Sequence, residues 1–200
     1  MLIFANTNNA TRLTRLAVSK HLMKIISLKE FAETGKFGEI GIGSLKADVI
    51  REFGTDFDHY DGGETEIIKY GWYEFFFWSD SEKLFGIQND HLQADCENHN
   101  EMILFENKSF KIDTWFLKVN QDFTYSQVID LLNKEHIDFK IESVNEIEPE
   151  IIRFKYGTYL DFSEGSFGWN LETNESYETI IENKEDYLLN GIRLFDLKKK

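Results

Sequence analysis

A chain of 200 residues with 42% apolar side chains can bury an ordinary core, as one domain or as two small ones sharing an interface. Thirty-six acidic residues against twenty-two basic ones leave a formal charge of −14, which argues against nucleic acid as a partner and suits a basic protein partner or plain solubility. One cysteine, Cys96, leaves no internal disulfide, and no apolar run approaches the ~20 residues of a membrane-spanning helix, so the expected setting is cytoplasmic and away from membrane.

Residues 1–22 contain Arg12, Arg15 and Lys20 and no acid, so the remainder alone carries −17. This composition reads as a disordered or non-native extension before a start at Met23, and it also resembles a mitochondrial presequence. Structure should begin at Ser27-Leu28-Lys29-Glu30, a capping box with Ile26 and Phe31 as its staple; that helix buries Leu28, Phe31 and Ala32 and stops near Gly35. A second helix, capped by Ser44, carries Leu45, Val49, Ile50 and Phe53 and ends at Gly54.

After the turn Asp61-Gly62-Gly63, residues 67–78 form an aromatic-rich β segment. Alternation places Tyr73, Phe75 and Phe77 on one face, and Trp72, Glu74, Phe76 and Trp78 on the other, the side expected near solvent because a carboxylate is rarely buried alone. Ser79 to Glu82 connects to a strand at Lys83 to Ile87. Residues 89–100 are expected as a polar loop and 102–105 as a strand. A second capping box, Thr124-Tyr125-Ser126-Gln127, with Phe123 and Val128 as staple, opens a helix carrying Val128, Ile129, Leu131 and Leu132. Strands are expected at 139–144, 151–156, 158–162 and 168–171, and a closing helix at 176–190 with Tyr177, Ile180, Ile181 and Leu188 on one side and Gly191 as its stop.

Three short matches recur in the same order: Asp48-Val49-Ile50-Arg51 with Gln127-Val128-Ile129-Asp130, Lys69-Tyr70-Gly71 with Lys155-Tyr156-Gly157, and Phe85-Gly86-Ile87 with Phe167-Gly168-Trp169. They suggest a repeated supersecondary unit, 23–120 and 121–200. After the Tyr-Gly step the second copy is one residue out of phase, which a bulge or a one-residue deletion would reconcile.

Gly41-Ile42-Gly43-Ser44 before a helix, Glu52-Phe53-Gly54 after it and Tyr70-Gly71-Trp72-Tyr73-Glu74-Phe75 on a strand together resemble an uncharacterised bacterial protein family, over about residues 38 to 90. The doubled helix-plus-sheet plan is similar to that of the BamE/SmpA lipoproteins and the β-lactamase inhibitor protein, although the lipoprotein cysteine and signal are absent from this sequence. Members of the first family resemble proteins encoded beside polymorphic toxins, and what that resemblance implies is an immunity role.

Asp56, Asp58 and Asp61 suggest a calcium loop, but Ile67 stands where the bidentate glutamate belongs. His91, Asp95, Cys96 and His99 fit no paired zinc spacing. The glycine pair before Ser44 lacks the later glycine and lysine of a phosphate loop. No catalytic residue, metal or cofactor is therefore assigned. The expected fold is α+β: two related units, each with short helices packed on one face of an antiparallel sheet. The expected function is a non-enzymatic module binding a basic protein such as a toxin through Trp72, Glu74, Phe76 and Trp78 with Asp56, Asp58 and Asp61. The alternative is a metal- or small-ligand-binding protein or enzyme using 56–61 or 91–99.

Overall fold

The computed structural model describes residues 23–94, 98–143, 149–170 and 175–198. The expectations for residues 1–22 and for Asp95 and Cys96 lie outside them. In chain order the elements are β1 (Lys24–Ser27), α1 (Leu28–Thr34), α2 (Lys46–Phe53), β2 (Asp58–Asp61), β3 (Thr65–Tyr70), β4 (Tyr73–Trp78) and β5 (Leu84–Asn89). There follow α3 (His99–Ile103), β6 (Phe110–Asp113), α4 (Tyr125–Lys134), β7 (Phe139–Glu142), β8 (Ile151–Phe154), β9 (Tyr159–Ser163), β10 (Gly165–Asn170), β11 (Glu175–Ile180) and β12 (Leu188–Phe195). The fold is α+β. Eight strands form one antiparallel sheet in the order β2-β3-β4-β5-β12-β9-β8-β7, while β1 pairs in parallel with β6 and β10 forms a separate hairpin with β11.

Local chemistry sets the helix ends. The Ser27 hydroxyl accepts from the Glu30 amide at the start of α1, and Gly35 stops the helix with its N–H donated to the Phe31 carbonyl. At α4 the capping box is reciprocal: Thr124 Oγ1 accepts from the Gln127 amide at 3.3 Å, and Gln127 Oε1 accepts from the Thr124 amide at 3.1 Å. The cap of α2 differs from expectation. Leu45 is its N-cap and is 44% exposed rather than part of the buried stripe, and Ser44 Oγ accepts from the Gly41 amide instead.

Residues 67–78 are two strands. A two-residue turn at Gly71-Trp72 closes the pair Tyr70↔Tyr73, and the chain can reverse there because Gly71 takes φ +62° with no Cβ to obstruct it. The alternation holds along β4: Tyr73, Phe75 and Phe77 are buried, while Glu74, Phe76 and Trp78 are half-buried on the opposite face. Trp72 belongs to the turn and to neither face of β4. The β8–β9 connection is one residue longer: the Phe154 N–H donates to the Thr158 carbonyl at 2.8 Å, leaving Lys155, Tyr156 and Gly157 in the turn. Leu160 and Phe162 of β9 reach the same core as Phe75 and Phe77.

Two expected elements are replaced by others. Residues 102–105 are not a strand: Met102 and Ile103 end α3, whose Ile103 carbonyl accepts from the buried Tyr73 hydroxyl at 2.7 Å. Residues 176–190 are not a helix but β11, a 3-10 turn at Lys184–Asp186 and the start of β12, with Gly191 inside β12 beside a bulge. β1, β2 and β6 had no counterpart in the reading of the sequence.

Among the described residues, α1 to α4 all pack on one side of the sheet. Phe31 of α1 meets Phe37, which packs on Phe75 of β4; Phe53 of α2 also meets Phe75; Tyr125 of α4 meets Phe162 of β9; and α3 is tied to Tyr73. These residues share one continuous hydrophobic core. Burial removes Tyr70 and Tyr73 from water and pushes both phenols far above the usual tyrosine range, with their hydroxyls donated to the Gly54 and Ile103 carbonyls. Because the unfolded phenols ionise near pH 10 while the folded ones keep their protons, stability should fall as pH rises above about 10, by about 1.4 kcal/mol per pH unit for each group. Urea midpoints measured from pH 8 to 11.5 will show this decline. It should be shallower by about 1.4 kcal/mol per pH unit in Tyr73→Phe, and a flat profile contradicts the burial of both rings.

Candidate functional site

The opposite face of the sheet has no helix against it among the described residues, and pairing register fixes what it displays. One row crosses all eight strands: Asp58, Lys69, Glu74, Gln88, Arg193, Tyr159, Arg153 and Lys140 stand opposite one another strand by strand. Directly opposed side chains on one face interact: opposite charges meet at Asp58, Lys69 and Glu74, Gln88 and Tyr159 flank Arg193, and Arg153 and Lys140 stand together at the far edge. Lys69 pairs with Glu74 at 2.9 Å, and Glu74 also accepts from Gln88 Nε2 at 2.7 Å. Gln88 Oε1 accepts from Arg193 Nη1 at 2.8 Å, and the rest of that guanidinium grips Asp161 through Nε at 2.7 Å and Nη2 at 3.2 Å. Arg153 pairs with Glu142 and lies over the Tyr159 ring, 4.9 Å from its centroid. The middle of the face is therefore electrically near balance.

The next row along is apolar: Tyr60, Ile67, Phe76, Gly86 and Phe195. Gly86 is needed for close approach, because a Cβ there would lie 2.2 Å from Phe195 Cε1, so the absence of a side chain lets that ring settle onto the sheet. Phe195 meets Phe76 at 5.3 Å between centroids. Opposite the step from Phe76 to Phe77 the pairing shifts, which makes Phe85 the extra residue and stacks it on Trp78 at 4.1 Å. Phe76, Trp78 and Phe195 remain half-buried, and Tyr60 is 62% exposed at the sheet edge.

Of the residues expected to bind a partner, Glu74, Phe76, Trp78 and Asp58 are brought onto this one face. Glu74 is not a free acid there, being held by Lys69 and Gln88. Trp72 sits at the end of the hairpin with the Lys69 ammonium over its ring at 4.7 Å and the His91 ring at 4.2 Å. Asp56 lies in the loop before β2. Asp61 ends that strand, where its Oδ1 accepts from the Gly63 amide at 2.9 Å. Phe85, Phe195, Arg193 and Asp161 were missed. The bulge between β4 and β5 places Phe85, and the pairing of β12 with β5 and β9 places the others, although the alternation of Ile192, Leu194 with Arg193, Phe195 is a strand signal visible in the sequence.

The alternative loops are built otherwise. Asp58 and Asp61 stand at opposite ends of β2, and no group of three metal-ligating side chains occurs among the described residues. His99 is 1% exposed; its Nδ1 accepts from the Asn120 amide at 2.7 Å, so Nε2 carries the hydrogen and donates to the Leu92 carbonyl at 3.2 Å. His91 is engaged by Asp90 at 2.7 Å. At the glycine pair before α2, the Asp48 carboxylate already accepts from the Leu45 amide at 3.4 Å, which leaves the helix start answered by the chain's own acid.

No family model, curated protein or solved structure matches this chain.

Proposed function

We propose that this chain is a non-enzymatic cytoplasmic module that binds a basic protein, and that the helix-free side of the sheet is its docking face. The observation that carries the reading is the aromatic patch in which half-buried Phe76, Trp78 and Phe195 surround the buried Phe85, set beside a polar row whose central charges are paired and next to an acidic edge strand. Partly exposed aromatics beside charge are the usual anchors of protein interfaces, and an excess of fourteen negative charges draws a cationic partner from a distance. Neutralisation of a basic toxin, as in an immunity protein, is the most concrete form of this role. The two Tyr-Gly hairpins, β3–β4 and β8–β9, and the four-strand runs β2-β3-β4-β5 and β7-β8-β9-β12 support a duplicated origin for the sheet. The third sequence match does not follow that scheme, since it places β5 against β10, outside the eight-stranded sheet.

The test is differential capture from native cells by the intact chain and by the face variant Phe76→Ser/Phe195→Ser, both checked for equal helix and strand content. A basic protein retained by the first and lost from the second is expected, with an association rate that falls at least tenfold between about 50 and 500 mM salt while dissociation changes little. Equal retention by both chains, or a salt-independent association rate, overturns the reading.

A further inference from the structure

The eight-stranded sheet ends in two open edges, β2 and β7, and they are built differently. β2 guards its edge with two acids and no lysine or arginine in Asp58-His59-Tyr60-Asp61. β7, Phe139-Lys140-Ile141-Glu142, carries one charge of each sign on either side of Ile141, whose side chain is left 47% exposed. Pairing register fixes where its backbone points. The Phe154 amide is turned toward β9, since it donates to the Thr158 carbonyl, so Ile151 and Arg153 are the β8 residues whose backbone faces β7. Their partners are Glu142 and Lys140, which leaves the N–H and carbonyl groups of Phe139 and Ile141 directed at the open edge. No backbone group answers them among the described residues.

The side chains add a second, independent condition. Lys140 and Glu142 share the helix-free side of the sheet, with Arg153 directly opposite Lys140 and ion-paired to Glu142. Two cations therefore share one carboxylate, and Lys140 has no ion pair of its own among the described residues. Like charges directly opposed on one face repel. A carboxylate arriving opposite Lys140 from outside the edge would correct that imbalance.

We infer that β7 is the dimerisation edge of this protein, pairing antiparallel with β7 of a second copy about a twofold axis through Ile141. In that register Lys140 stands opposite Glu142 of the second copy, and Glu142 opposite Lys140 of the second copy, so each free cation meets a carboxylate. The two Ile141 residues exchange backbone hydrogen bonds at the axis, and Phe139 does the same with Ser143 of the second copy. The two exposed Ile141 side chains then cover each other on the helix side. Because the contact is isologous it closes at two copies and builds no filament. An axis normal to the sheet joins two eight-stranded sheets edge to edge and leaves both helix-free faces on the same side. The dimer does not depend on capture of a basic protein.

The experiment is sedimentation equilibrium on the full chain between about 10 µM and 1 mM, because so short a strand pair buries less than a standard interface and holds only at high concentration. A concentration-dependent dimer is expected. Ile141→Pro, which removes an N–H that β8 does not use, should keep its strand content and lose the dimer. Lys140→Glu and Glu142→Lys should each weaken self-association at least tenfold. Mixed in equal amounts, those two variants should form a heterodimer at least tenfold tighter than either self-pair, since the mixture sets a lysine opposite a glutamate at both sites. Asp58→Ala, at the other edge of the sheet, should leave the dimer unchanged. A chain monomeric throughout the range, a dimer indifferent to Ile141→Pro and Lys140→Glu, a mixture no tighter than its components, or a dimer lost in Asp58→Ala each overturns the assignment.

Discussion

Phe53→Ala will lower stability by about 3–5 kcal/mol, at the upper end for loss of a buried aromatic ring. The ring is fully buried and stands where α2, the β3–β4 hairpin and β6 converge. Its centroid lies 4.8 Å from Phe110, 5.5 Å from Phe75 and 5.7 Å from both Phe37 and Tyr70. Removing it deletes four aromatic contacts as well as the buried area. Collapse into the vacancy is blocked, because the neighbours are fixed from outside: the Tyr70 hydroxyl donates to the Gly54 carbonyl at 2.6 Å, and Asn107 Nδ2 donates to the Phe53 carbonyl at 3.3 Å. Urea unfolding should show the loss as a lower midpoint with an unchanged slope. Phe53→Leu should cost less than half as much, and Leu45→Ala, on the exposed side of the same helix start, should stay within about 0.5 kcal/mol. A loss under about 1.5 kcal/mol for Phe53→Ala would mean that the rings around it are not held as described.

What the sequence disclosed and what it concealed divide by the range of the interactions concerned. The starts of α1 and α4 were legible because Ser27 with Glu30 and Thr124 with Gln127 answer backbone donors three residues away. The inward face of β4 was legible because Tyr73, Phe75 and Phe77 obey a period of two without outside help. The edge strand β2 was concealed. Asp58-His59-Tyr60-Asp61 is exposed throughout, so no buried side recorded its pairing with β3, and its acids read as a loop. Met102-Ile103-Leu104-Phe105 has strand composition, yet Ile103 is drawn into the core at the end of a one-turn helix through Tyr73. At 176–190 the apolar spacing mimicked a helix, and only pairing of β11 with β10 and of β12 with β5 and β9 decided otherwise. The candidate face was half legible for the same reason: β4 announced Phe76 and Trp78, while the residues that complete the patch and the polar row arrive on β12, more than a hundred positions later.

Arg193→Ala should cost about 2–4 kcal/mol, more than the loss of an ordinary surface ion pair, because β12 is the strand that joins the two halves of the sheet. The guanidinium holds Asp161 through two bonds and Gln88 through a third, with Asp90 at 3.6 Å, and its side chain is only 21% exposed. Truncation leaves the Asp161 carboxylate, itself 19% exposed, with the Asn190 amide at 2.7 Å as its remaining side-chain donor and no cation opposite it. The penalty therefore comes mainly from uncompensated carboxylate, which predicts an ordering. Arg193→Ala should be the most damaging change, Asp161→Asn should cost less because an amide still accepts from the guanidinium, and Arg193→Met with Asp161→Leu should recover most of the loss. A double-mutant cycle read by urea unfolding would give a coupling of about 2 kcal/mol between residues 161 and 193. A coupling below about 0.5 kcal/mol would show that the row is a solvated surface ladder, and the pairing that leaves the middle of the helix-free face near neutral would then have no energetic standing.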